Sequence, residues 1–242
     1  MELLFFISAF IAEIVGTMIG FGSSTLFLPL ALFFVDFKTA LILVAFFHIF
    51  GNLGRITFFR HGLDKRLLLI FGVPSVILTI AGALLVNYIP QETLKLCLGI
   101  FLLMFSIFSI VKPSFKFKAS MKNAVLGGSI SGFLAGLIGT GGAVRGAFLT
   151  AFNLRKKVYI ATAAAIALAV DITRIPIYFG SGFLESKFYI YLPMLFIIAI
   201  AGSYLGKKIV DKIPQRAFRK VVLGAIAIIS LKFMYDGIVF LL

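Results

Sequence analysis

Long apolar runs follow one another along almost the whole of this chain, and no other feature limits its fold so strongly. Most of them approach the roughly 20 residues that a helix needs to cross the hydrocarbon layer of a bilayer. Hydrophobic residues make up 61% of the 242 and charged residues only 13%. A soluble domain is nearer half apolar and a quarter charged, and could not hide so much apolar surface in one core. Lipid is therefore the expected solvent, and the expected class is an all-α integral membrane protein. The opening run has the acidic flank Met1-Glu2 instead of a basic one, so it reads as part of the fold and not as a cleaved secretion signal.

The net charge of +14 could suggest nucleic acid as a partner. Its placement argues against that. The Lys and Arg residues gather in short loops between apolar runs, as cytoplasmic loops do beside an anionic leaflet. A single cysteine, Cys97, excludes an internal disulfide and a cysteine metal cluster.

The chain also repeats itself at an offset of 119 residues. Gly20-Phe21-Gly22 matches Gly139-Thr140-Gly141, Lys38 matches Lys157, Arg55 matches Arg174, and Pro74 matches Pro193. After a short insertion Pro90-Gln91 matches Pro214-Gln215, and Gly99 matches Gly224. The expected units are a first repeat at 1–111, a cytoplasmic linker at 112–123 and a second repeat at 124–242. Four apolar segments fall in each: 3–35, 40–59, 67–86 and 94–111, then 124–152, 158–179, 188–206 and 221–242. The first segment of each half is too long for one crossing and is interrupted by glycines.

Loop charge suggests how the segments are threaded. Residues 60–66, 112–122, 155–157 and 207–220 are basic, whereas 87–95 and 180–187 are near neutral. Eight full crossings would put the basic loops flanking 124–152 on opposite sides, against the positive-inside bias. The conflict disappears if 3–35 and 124–152 are re-entrant hairpins. The two halves are then inverted repeats with external termini, a plan shared by many secondary transporters. Eight plain spans in parallel repeats are the competing plan.

The breaks themselves suggest chemistry. Gly20, Gly22, Ser23, Ser24 and Thr25 in the first half, and Gly139, Thr140, Gly141 and Gly142 in the second, open the backbone and then restart a helix. Irregular backbone at membrane depth survives only beside protein or a wet cavity, and a restarting helix turns N–H groups and a positive dipole end toward an anion. Close helix packing is the plainer reading of the same glycines. Arg145 follows the second break within its apolar run, and Arg55 and Arg174 are repeat partners, preceded one turn earlier by Asn52 and Asp171. A guanidinium can grip an oxyanion at two points, so these residues are candidate anion ligands. Snorkelling to the interface is the alternative for Arg55 and Arg174, and a purely structural ion pair is the alternative for Asp171 and Arg174. Asp171 and His48 are candidates for binding a coupling proton or sodium ion. Glu13 has no acidic repeat partner, since Gly132 occupies that position, and Lys232 and Asp236 are spaced for a structural pair. No cofactor or metal site and no enzyme constellation is readable, and neither is an oligomeric state. The expected partners are a small anion, the lipid bilayer and a coupling ion.

At the glycine motifs the chain resembles the TauE/SafE sulfite exporter family. The likeness runs through 16–29 and 136–148, through Lys38 to Asn52 and Arg55, the basic loop Arg60-His61-Gly62-Leu63-Asp64, and Pro90-Gln91-Glu92-Thr93-Leu94. Phe148 stands where family members usually carry a proline matching Pro29, and Arg145 is a less usual feature there. The resemblance implies transport of sulfite or an organosulfonate; the residues by themselves suggest only a small anion. A passive anion pore and a membrane-embedded lipid enzyme are the competing functions.

Overall fold

A computed structural model describes residues 2–19, 22–58, 62–209 and 215–241, and those residues contain helices and no strand. In chain order the helices are α1 (Glu2–Ile19), α2 (Ser24–Ala31), α3 (Phe37–Phe58), α4 (Lys65–Leu85) and α5 (Gln91–Val111). The second half supplies α6 (Met121–Ile138), α7 (Gly142–Leu149), α8 (Lys156–Gly180), α9 (Tyr191–Ile209) and α10 (Gln215–Leu241). Among the described residues seven helices are long and apolar enough to cross a membrane. The two over-long segments split where the glycines stand. At 8 residues each, α2 and α7 reach only about 12 Å, well short of a bilayer.

Local signals account for the helix boundaries. The Asp64 carboxylate caps α4 by accepting from the Leu67 amide at 2.9 Å, and the Ser120 hydroxyl caps α6 by accepting from the Asn123 amide at 3.2 Å. Gly139 ends α6 at φ +74, in the left-handed region where a side chain would be strained.

Both short helices double back along their predecessors. The Phe5 ring near the start of α1 packs on Phe27 and Phe34 (centroids 5.2 and 6.0 Å), while Gly16 meets Ser23. In the second half Gly127 meets Phe148, and the Ser131 hydroxyl donates to the Gly141 carbonyl at 2.9 Å.

Helix pairing is symmetric under exchange of the halves. α1 packs on α9 as α6 packs on α4, α3 on α9 as α8 on α4, and α3–α8 and α5–α10 pair with their own counterparts. Counterparts run antiparallel. Lys38 at the start of α3 lies over the Phe183 ring beyond the end of α8 (5.3 Å), Asn52 reaches Asp171 at mid-length, and the Asp64 amide past α3 donates to Thr162 early in α8 at 3.0 Å. Gly99 of α5 lies against Ser230 and Met234, and Gly237 against Leu96.

The α4–α6 seam is built on Gly128, Gly132 and Gly136, which share one helix face at a four-residue spacing. They admit the carbonyls of Phe71, Ser75 and Thr79 so closely that a Cβ on Gly132 would lie 2.0 Å from the Ser75 oxygen. The Ser75 and Thr79 hydroxyls donate across the seam to Gly128 O and Gly132 O, each at 2.9 Å. Small residues and interhelical hydroxyl bonds are how helices associate in lipid, where no hydrophobic driving force separates one apolar face from another.

These directions gather the loops at two ends. At one, Asp64 meets Thr162, the Lys116 ammonium reaches Asn153, and the Lys207 ammonium lies over the Phe58 ring. At the other, the Asn87 amide donates to the Ser181 hydroxyl, the Lys38 amide to Gln91, and the Tyr191 hydroxyl to Glu2. Lys65, Arg66, Lys112, Lys116, Lys118, Arg155 and Lys157 all fall at the first end.

Candidate functional site

The two doubled-back segments touch at mid-depth, where the Thr25 and Thr140 hydroxyls lie 2.9 Å apart. Around that contact six acidic, basic or imidazole side chains are buried among the described residues: Glu13, His48, Arg55, Arg145, Asp171 and Arg174. Charge inside a membrane protein is costly unless paired, so their pairing is informative.

Arg55 is fully engaged. Its guanidinium donates to Glu13 at 2.6 Å, to the Asn52 side-chain oxygen at 2.9 Å, to Thr17 at 3.1 Å and to Ser23 at 3.2 Å. The Ser203 hydroxyl donates to the same Glu13 oxygen at 2.6 Å. Arg174 is equally occupied, donating to Asp171 through Nε (2.9 Å) and to the Ala135 carbonyl (2.7 Å), with its second terminal nitrogen 2.8 Å from the same Asp171 oxygen. Neither arginine snorkels; they are 5% and 1% exposed. Glu13 is the residue that sequence reasoning undervalued. Its acidic counterpart is absent because the second half carries its acid elsewhere, at Asp171 on the arginine's own helix.

Asp171 offers its other oxygen to α3. Asn52 donates to it at 3.4 Å, and His48 Nδ1 lies 2.8 Å away, at ion-pair distance but without hydrogen-bond alignment. Among the described residues His48 Nε2 is buried without a hydrogen-bond partner, and it faces Gly22, where a Cβ would lie 2.9 Å from it and 3.7 Å from Arg145 Nη2. Gly22 has φ +85, so both its conformation and its lack of a side chain are used here.

Arg145, on α7, differs from the other two arginines. It is 5% exposed, and among the described residues its guanidinium makes no hydrogen bond or ion pair. It borders two small cavities. One, with room for about one water molecule, is also bounded by Thr17, Gly22, Asn52, Arg55 and Tyr159. The other, no larger, is bounded by Ser24, His48, Gly141, Gly142, Asp171 and Arg174 among others. Tyr159 separates the first from a wider cleft at the basic end, which Lys116, Phe148 and Arg219 help to line.

Most of the sequence candidates are thus brought together: Gly22, Ser23, Ser24, Thr25, His48, Asn52, Arg55, Thr140, Gly141, Gly142, Arg145, Asp171 and Arg174 lie on these networks or cavity walls. Gly139 borders the second cavity and packs on Leu28 and Leu41. Gly20 lies outside the described residues, as do Arg60 and His61. Among the described residues no group of three or more His, Cys, Asp or Glu could hold a metal. Lys232 and Asp236 form a pair at the exposed surface of α10.

Residues 5–233, nearly the whole chain, match the model of the family described as sulfite exporter TauE/SafE. The chain belongs to this family. It is also 29% identical to a protein of Methanocaldococcus jannaschii described as a probable membrane transporter, over 94% of this chain and 93% of the other. No solved structure matches it. As a TauE/SafE protein it is a multi-pass membrane transporter and not an enzyme. Phe148 stacks on Phe117 (centroids 3.8 Å) and fills the space left by Gly127.

Proposed function

We propose that this chain is a secondary transporter of a small anion, sulfite or an organosulfonate, which it carries across the cytoplasmic membrane by alternating access. The observation that carries the reading is Arg145: a buried guanidinium with no hydrogen bond or ion pair among the described residues, between two cavities, beside arginines already neutralised by Glu13 and Asp171. An uncompensated buried cation calls for an anion, and a guanidinium suits an oxyanion's geometry. The starts of α2 and α7 converge on the same place and add two positive helix ends. Ser24, Thr25 and Thr140 supply hydroxyls, and Arg55 and Arg174 form the outer walls. The family's description as sulfite exporters adds the sulfur.

The antiparallel counterpart helices support inverted repeats, and the doubled-back α2 and α7 support re-entrant hairpins. Each repeat then occupies one half of the chain, joined by the basic linker at 112–123. In this reading the end that gathers the basic loops is cytoplasmic, the termini are external, and the cleft beside Tyr159 is the cytoplasmic approach.

The test is anion counterflow in proteoliposomes with sulfite, sulfate, sulfoacetate, methanesulfonate, taurine and acetate. Saturable exchange of a sulfur oxyanion that Arg145→Ala abolishes is expected. Exchange of none of them by folded protein overturns the proposal, and conductance without exchange favours a passive pore.

A further inference from the structure

The charge on the six buried groups constrains what the site carries. Glu13 and Asp171 oppose Arg55, Arg145 and Arg174, leaving one positive charge when His48 is neutral. A monoanion cancels it, but a dianion leaves one negative charge surplus in a low-dielectric interior, where uncompensated charge is expensive. His48 is the group placed to correct this. Its Nε2 is buried, has no hydrogen-bond partner among the described residues and is turned into the space beside Gly22 and Arg145. Its Nδ1 lies 2.8 Å from Asp171 Oδ2, where the carboxylate would repel a nitrogen lone pair, so we assign the neutral ring's proton to Nδ1 and the lone pair to Nε2.

We propose that a divalent anion is carried together with one proton, taken up on His48 Nε2, whereas a monovalent anion is carried without one. The proposal rests on the anion-transport reading above. The proton comes from water in the approach cleft and adds to the lone pair. The resulting Nε2–H points where the substrate oxygen lies, and the proton leaves with the dianion on the far side. The charged groups facing His48 are Asp171 from α8, Arg145 from α7 and, on its own helix, Arg55. Asp171 steadies the imidazolium, and the two arginines disfavour it until a dianion arrives. Proton and dianion therefore strengthen each other's binding. A sodium ion does not fit this role, because Asp171 is already flanked by His48 and Arg174.

The experiment compares sulfoacetate, a dianion at neutral pH, with methanesulfonate, a monoanion. Neither brings a proton of its own. Proteoliposomes loaded with a trapped pH-sensitive dye report proton entry while radiolabel reports the anion. About one proton per sulfoacetate and none per methanesulfonate are expected. For His48→Gln the proton signal should vanish and sulfoacetate entry should fall on the order of tenfold relative to methanesulfonate entry; a merely structural lesion lowers both alike. If that variant does not fold, the wild-type comparison decides the matter alone. Sulfoacetate entry without protons overturns the proposal and leaves anion transport standing, as does equal proton entry with both anions. Exclusion of sulfoacetate while methanesulfonate enters also overturns it. Exchange of no anion in the whole panel removes the transport reading and this proposal together.

Discussion

Asn52 and Asp171 hold the same position in the two halves, 119 residues apart, and they meet: the Asn52 amide donates to the Asp171 carboxylate at 3.4 Å. In the inverted-repeat reading proposed above, equivalent residues touch only where the axis relating the halves passes between them, and this bond marks that centre. The centre is chemically asymmetric. One side has an amide that accepts from Arg55, and the other has a carboxylate that neutralises Arg174. The first half restores its balance with Glu13 from α1.

Asp171→Asn should therefore be costly. It leaves Arg174 without its counter-charge at 1% exposure, and breaking a buried pair by removing one partner costs about 3–5 kcal/mol. Thermal unfolding in detergent checks this. The exchanged variant Asn52→Asp with Asp171→Asn returns the charge within reach of both arginines and should regain part of the loss. A double variant no more stable than the single one would show that the charge acts only from α8.

Arg145→Ala should behave in the opposite way. No acid is orphaned by its removal, so the unfolding temperature should stay close to that of the wild type while anion exchange disappears. Arg55→Ala is the contrasting case, because it strands Glu13 at 0% exposure. That variant should lose about 3–5 kcal/mol of stability. If the two arginine variants lose stability equally, Arg145 has a structural partner and the assignment of the substrate site fails.

Much of this arrangement was legible in the chain. The 119-residue offset, the glycine breaks and the loop charges are all local or periodic, and each leaves its mark on the linear sequence. The same is true of the Asn52/Arg55 and Asp171/Arg174 spacing, one helical turn in each case. Glu13 was not legible. Its partner Arg55 lies 42 residues away on another helix, and Gly132 at the equivalent position gives no hint of an acid. Ser203 joins the same carboxylate from 190 residues away. The burial of Arg55 and Arg174 was equally hidden, since a residue near the end of a span reads as interfacial until the neighbouring helices are placed around it.

The α4–α6 seam gives a test of packing independent of transport. Gly132→Ala sets a methyl group against the Ser75 carbonyl, which is backbone and cannot swing aside. The helices must separate, and overpacking of this kind costs about 1–3 kcal/mol. Gly180→Ala is the matched control, because a Cβ there meets nothing within 4 Å. The first variant should melt well below the wild type and the second close to it. Equal melting would mean that the seam is looser than its hydroxyl bonds imply.

Orientation can be settled by accessibility. Lys118 lies in the linker at the basic end, and Glu185 lies in the loop between α8 and α9 at the other end. With Cys97 replaced by serine, Lys118→Cys should react with a membrane-impermeant thiol reagent only after the cytoplasmic face is opened. Glu185→Cys should react in intact cells. The inverted-repeat reading requires this pair of results, because α6 and α7 must return the chain to the side it left. Plain crossing by that segment would put residues 112–122 and 155–157 on opposite sides, so a third cysteine at Lys157 completes the test. Labelling of Lys157→Cys together with Lys118→Cys, and never with Glu185→Cys, is expected; labelling with Glu185→Cys would make the second hairpin a full span.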